Sequence, residues 1–241
     1  MSIEMSLEIP LAHLKEFLNL TDFPFGLAHL CLSAYNPQAA EYAKLYRGCL
    51  LDNSMYELGD QPLSITDLLT AAVICDPTSV IAPDWMGERC RTIDGVEDLI
   101  AERPKGAHWN IGGVVQGRTL EDRVNCFYQL RDLGCRPLCF PFRTPREETI
   151  FTLAKRNAFS YTGWYHLLGL HSLSELYRIR LEGRWSYDTA KPFKGYYLDS
   201  VDDVRGLGRL DVHKPLTVEG RIAALWNIAY MRKVGGVKWT L

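Results

Sequence analysis

Four polar residues stand where apolar runs stop: Asp52 after CLL, Asp84 after SVIAP, Gln116 after NIGGVV and Asp188 after RWSY. Three carboxylates and an amide suit only a few kinds of chemistry. A carboxylate can take or return a proton, or attack a carbon to form an ester that splits one hard step into two easier ones. An amide both donates and accepts, so beside a carboxylate it can read the edge of a polar heterocycle. A single Asp or Asn after a strand is also an ordinary turn former, bonding its own backbone two residues on. LLDNSMYELGD (50–60), taken alone, fits that plainer reading. The recurrence of the pattern at four run ends points instead to a shared site.

The elements that would hold these residues alternate along the chain. Strands are expected in AHLCLSAY (28–35), GCLLDN (48–53), SVIAPDW (79–85), NIGGVVQG (110–117), RPLCFPF (136–142), WYHLLGL (164–170) and RWSYDTAKPF (184–193), with an eighth in LEIPLAHL (7–14). Between them lie helix-like segments. PQAAEYAKLYRG and RTIDGVEDLIAER are amphipathic, SITDLLTAAVIC has Ser64 near its start, and PREETIFTLAKRN carries Pro145 in its first turn. In TLEDRVNCFYQLRDLG, Thr119 is placed to cap the helix with Asp122 three residues on, and Gly134 to end it. Ser172 and Glu175 have capping-box spacing, and LTVEGRIAALWNIAYMRKVGG forms a last helix.

Strands that are apolar throughout, each followed by a helix, imply a parallel sheet buried on both faces. About eight such units predict a single-domain (β/α)₈ TIM-type barrel over residues 1–241. In such a barrel the carboxyl ends of the strands form the active face, which is where the four polar residues fall. No glycine-rich loop follows a strand in the spacing that a dinucleotide needs, and no serine or cysteine nucleophile elbow occurs.

The motifs, taken in order, resemble the tRNA-guanine transglycosylase superfamily, and most closely its short DNA-modifying branch, the phage-type 7-deazaguanine DNA transglycosylases. Asp52-Asn53-Ser54-Met55-Tyr56-Glu57 echoes the family's DSGGYQ, with Met55 at a glycine position. Asp84 in APDWMGER matches its base-recognising Asp, and Val115-Gln116-Gly117 its VQG. Leu168-Gly169 resembles its apolar–glycine strand end, and SYDTAKP its nucleophile strand. Phe140-Pro141-Phe142 replaces the family's glycine pair. The match spans roughly residues 28 to 200.

The resemblance implies exchange of guanine in DNA for a free 7-deazaguanine base of the preQ0 type, serving phage genome protection. Asp188 would be the nucleophile and Asp52 the general acid and base. Asp84, Gln116 and Gly117 would read the base, Tyr56 and Leu168 would sandwich it, and Phe140 and Gly169 would complete the pocket. The target guanine would be flipped out or met in single-stranded DNA. Arg89, Arg91, Arg118, Arg143, Arg146, Lys191 and Lys194 would track the phosphate backbone. Exchange on tRNA, a non-catalytic nucleic-acid-binding barrel and a glycosidase or metal-dependent barrel hydrolase are the rival readings.

The tRNA enzymes hold zinc through three clustered cysteines and a histidine. No cysteine follows Cys139 here, so that subdomain is absent and neither a metal nor another cofactor is expected. His166 and His171 flank a strand end and are read as structural. A net charge of −2, with 47% hydrophobic and 23% charged residues, describes an ordinary globular chain without a basic field. The seven scattered cysteines read as small core hydrophobes. With no signal peptide and no apolar run near about 18 residues, a cytoplasmic monomer without membrane contact is expected, in the host cytoplasm if phage-encoded.

Overall fold

The computed structural model describes residues 3–59, 61–170, 172–178, 181–194 and 211–234. Eight parallel strands form one sheet: β1 (Glu4–Leu7), β2 (Phe25–Leu27), β3 (Leu50–Asp52), β4 (Ser79–Ile81), β5 (Asn110–Val114), β6 (Leu138–Pro141), β7 (Trp164–Leu168) and β8 (Arg184–Thr189). Hydrogen bonding runs in the order β1-β8-β7-β6-β5-β4-β3-β2, so the sheet curls into a nearly closed (β/α)₈ barrel. The helices are α1 (Leu14–Phe17), α2 (Ala39–Leu45), α3 (Ile65–Cys75), α4 (Arg89–Glu102), α5 (Leu120–Asp132), α6 (Arg146–Lys155), α7 (Ser174–Arg178) and α8 (Val218–Val234). Among the described residues, no helix is long and apolar enough to cross a membrane.

Local chemistry sets the boundaries of these elements. Ser64 Oγ accepts the Asp67 N–H at 3.1 Å to start α3, while Thr119 and Asp122 form a reciprocal capping box ahead of α5. Gly134, at φ 80°, ends that unit in the left-handed region that favours glycine. Pro145 lies one residue before α6 rather than within it.

Three expectations are corrected. The strand expected at 28–35 lies earlier, at Phe25–Leu27, and Ala28–Cys31 winds into a 3₁₀ turn. Side chains take the donors there: Leu27 N–H goes to the Tyr42 hydroxyl at 2.9 Å and His29 N–H to Ser54 Oγ at 3.1 Å. The N-terminal strand is Glu4–Leu7 rather than 7–14, because Pro10 has no N–H for a ladder and leads into the 3₁₀ turn Leu11–His13. α7 begins at Ser174, so Ser172 lies one residue too early for the expected cap. The Glu175 carboxylate pairs with Arg146, and Ser172 Oγ meets Ser174 Oγ.

The first and last strands in the sheet order are joined through Asp22. Its carboxylate accepts the Met5 N–H at 2.7 Å, and its own N–H donates to the Met5 carbonyl at 2.8 Å. From α8, Arg232 pairs with that carboxylate at 3.1 Å and donates to the Leu20 carbonyl. This clasp substitutes for a ladder across the seam. Asp22→Ala should lower unfolding free energy by about 1–3 kcal/mol, the cost of stranding a largely buried N–H. Urea denaturation against the wild type measures it, and an unchanged midpoint would remove Asp22 from the closure.

Candidate active site

At the carboxyl ends of the strands lies a cavity of about 750 Å³, counting its open mouth. Asp52, Asp84, Gln116 and Asp188 all line it, from β3, the segments that follow β4 and β5, and β8. Tyr56, Leu168, Gly169 and Arg143 line it as well. Glu8, Asn53, Glu57 and Phe142 also contribute, none of which the sequence reading assigned a role.

Asp84 is held by two amides. Asn53 Nδ2 donates to Oδ1 at 2.8 Å and Gln116 Nε2 donates to Oδ2 at 2.7 Å. Each amide is oriented in turn: Asn53 Oδ1 accepts the Met55 N–H at 2.9 Å, and Gln116 Oε1 accepts the Gly87 N–H at 3.0 Å. These partners fix which end of each amide faces the carboxylate. The result is a carboxylate able to accept several N–H groups, next to an amide that has a second N–H.

Asp188 is held differently. Its Oδ1 accepts the Gly169 N–H at 2.9 Å and lies 3.0 Å from His166 Nε2. On the other side of that imidazole, Nδ1 is 2.8 Å from Ser186 Oγ, which accepts the Trp164 indole N–H at 2.8 Å. An ionised Asp188 requires the proton on Nε2, so Ser186 donates to Nδ1 and the chain Trp164, Ser186, His166, Asp188 has one direction. Burial, with Arg146 and Arg184 nearby, pushes the His166 pKa down to about 3. His166 is therefore a neutral donor. Gly169 adopts φ 63°, and a Cβ there would approach the Phe142 ring to 2.9 Å, so glycine is needed to aim its N–H at Asp188.

Asp52 accepts the Ser54 N–H at 2.8 Å, within a turn that puts Ser54 at φ 61°. Burial and the nearby Glu57 carboxylate raise the Asp52 pKa well above the usual range, outweighing that hydrogen bond. Burial also raises Asp188, but hydrogen bonds from Glu8 and Gly169 oppose the rise. The two aspartates thus differ in kind. Asp52 is set up to carry a proton, and Asp188 is supplied with donors that favour its ionised form.

Several expected site residues lie elsewhere. Phe140 is fully buried and points into the helix layer, with its ring stacked 6.1 Å from Phe127 and 6.0 Å from Trp185. Its neighbours Pro141 and Phe142 face the cavity instead. Gly117 packs against the start of α5, where a Cβ would come within 2.6 Å of Asp122. Arg146 is only 2% exposed: it pairs with Glu175 at 2.5 Å and donates to the Phe140 and Leu168 carbonyls, both at 3.0 Å. It braces the ends of β6 and β7 and cannot follow a phosphate backbone. Lys191 is buried too, and that burial lowers its pKa to about 8.

Arg118 and Arg143 are exposed, and Lys194 is half-buried. Arg143 lies over the Tyr56 ring at 4.4 Å, and Phe142 meets that ring edge-on at 5.5 Å. His171 lies outside the described residues. Among those that are described, no group of three or more His, Cys, Asp or Glu side chains is arranged to hold a metal ion.

No known protein-family model matches the chain, and no curated protein matches it.

The depressed His166 pKa has a consequence for stability. The unfolded chain binds a proton near the ordinary 6.5 while the folded chain resists one down to about 3. Stability is therefore lost as pH falls through that window, by at most about 1.4 kcal/mol per pH unit from this group. His166→Gln should show a shallower acid slope than wild type in chemical denaturation between those limits. Parallel slopes would mean that His166 is already protonated in the fold.

Proposed function

We propose that this barrel exchanges guanine in DNA for a free 7-deazaguanine base through a glycosyl–aspartate ester on Asp188. The observation that carries the reading is the pairing of Asp84 and Gln116 beside the donor-supplied Asp188 in one cavity. Guanine offers two kinds of donor, its ring N–H and its amino group, next to a carbonyl acceptor. The Asp84 carboxylate suits those donors, and the second N–H of Gln116 suits the carbonyl. A 7-deazaguanine keeps the same edge. A site that reads only this edge accepts both bases, as an exchange requires.

The steps balance without an added reagent. An Asp188 carboxylate oxygen attacks the anomeric carbon, and the glycosidic bond breaks with its electron pair going to the base. Asp52 gives its proton to the departing guanine. The incoming base then returns a ring N–H proton to Asp52, and its nitrogen attacks the same carbon. The ester bond breaks, and its electrons restore the Asp188 carboxylate. The Gly169 and His166 donors stabilise Asp188 each time it carries charge.

Tyr56 and Leu168 supply flat and apolar surface for the base, and Arg118, Arg143 and Lys194 remain as contacts for the backbone. Ser54 adds support for the resemblance. It takes a left-handed conformation where the DSGGYQ motif has glycine.

Mass spectrometry of nucleosides from DNA and from tRNA, each incubated with a labelled 7-deazaguanine, tests the reading. Label is expected in DNA only. Labelled tRNA would assign the activity to the other nucleic acid, and release of guanine without incorporation would make the protein a hydrolase. Asp188→Asn should abolish incorporation while leaving the thermal transition in place. Gln116→Ala should raise the Michaelis constant for the base by a factor corresponding to about 1–3 kcal/mol, with a smaller effect on that for DNA. Equal effects on both constants would place the base elsewhere.

A further inference from the structure

We propose that Glu8 is a positioning residue that holds the single proton of a Glu8–Asp188 carboxyl pair, leaving Asp188 as the ionised, nucleophilic member. The inference rests on the function proposed above and adds a residue to it. Glu8 follows β1 directly, and its N–H donates to the Thr189 carbonyl at 3.0 Å, which fixes its Cα beside the end of β8. From there its side chain reaches the cavity beside that of Asp188, which lines the same space and interacts with it.

Two ionised carboxylates side by side repel each other, and one proton held between them relieves the pair. The surroundings decide which residue keeps it. Asp188 Oδ1 already receives Gly169 N–H and faces His166 Nε2, and both donors favour a negative Asp188. Burial and the Asp188 charge raise the Glu8 pKa well above the usual range, and only Lys194 among the named influences opposes this. The other ionisable groups around the pair are Asp52, Tyr56, Glu57, Asp84 and Arg143 lining the cavity, with Cys139, Arg146 and Tyr46 acting from outside it.

This arrangement has two effects on the reaction. A protonated Glu8 removes the repulsion that would otherwise push a proton onto Asp188 and silence it as a nucleophile. When the ester breaks, the Glu8 O–H also supports the departing Asp188 carboxylate. The proton stays on Glu8 throughout, so the exchange between Asp52 and the two bases is unchanged.

The test has one arm that depends on activity and one that does not. In wild-type protein with ¹³C-labelled Asp and Glu carboxyls, Glu8 should keep its proton on titration after the surface carboxylates have ionised. Glu8 ionising together with them overturns the proposal, whether or not the protein exchanges bases. In the exchange assay, wild-type kcat should fall as pH rises through the Glu8 titration. Glu8→Gln should retain activity within about tenfold and lose the Glu8 part of that limb, keeping only the part that Asp52 sets, because its amide still donates but cannot ionise. Glu8→Ala should lower kcat by about tenfold to a hundredfold, as expected for loss of a hydrogen bond to a charged group. An alkaline limb with the same midpoint and steepness in Glu8→Gln as in wild type also overturns the proposal. If the wild type exchanges no base while Glu8 holds the proton, the proposed function fails and the assignment of the pair stands.

Discussion

Several carboxyl groups share one cavity, and burial works against charging all of them at once. Every local feature of the mouth answers that constraint in one of two ways. Asp84 and Asp188 are given donors, from Asn53 and Gln116 in one case and from Gly169 and His166 in the other. Asp52 and Glu8 are driven toward the neutral acid, chiefly by burial. Neighbouring carboxyls pushed toward different protonation states are the usual physical basis for separate acid and nucleophile roles. The backbone conforms to the same need: the left-handed Ser54 and Gly169 each turn an N–H toward an aspartate.

Much of this was legible in the sequence because a parallel barrel gives strand ends a fixed meaning. Asp52, Asp84, Gln116 and Asp188 could be found from the points where apolar runs stopped, and they do line one cavity. Side-chain direction was harder to read. Strand residues alternate between faces, so one step of error moved Phe140 from the helix layer to the site, while Cys139 lies beneath the aspartates whose charges act on it. Glu8 was hidden because its strand was expected to begin at Leu7 instead of ending there. His166 shares a strand face with Leu168, and that period was the available signal for its inward position.

Long-range pairing was not legible. Arg146 and Glu175 lie 29 residues apart and had separate local explanations, one as a phosphate contact and the other as a helix cap. Their pairing in the interior moves Arg146 from the candidate nucleic-acid surface to the scaffold. The positive charge left near the mouth is small in amount, which fits a chain with a net charge of −2. Association with a polyanion would rest on a few local contacts more than on a long-range field.

The seam at Asp22 also bears on how the chain is made. Its brace, Arg232, is 210 positions away, and Glu4 meets Arg184 at 2.7 Å across 180. During synthesis the first strand emerges long before either partner. Until β8 and α8 leave the ribosome, β1 has no neighbour in the sheet order and Asp22 lacks its Arg232 brace. A nascent chain of this protein therefore carries an open strand edge at β1 until β8 is made, and the barrel closes late in the order in which its strands emerge.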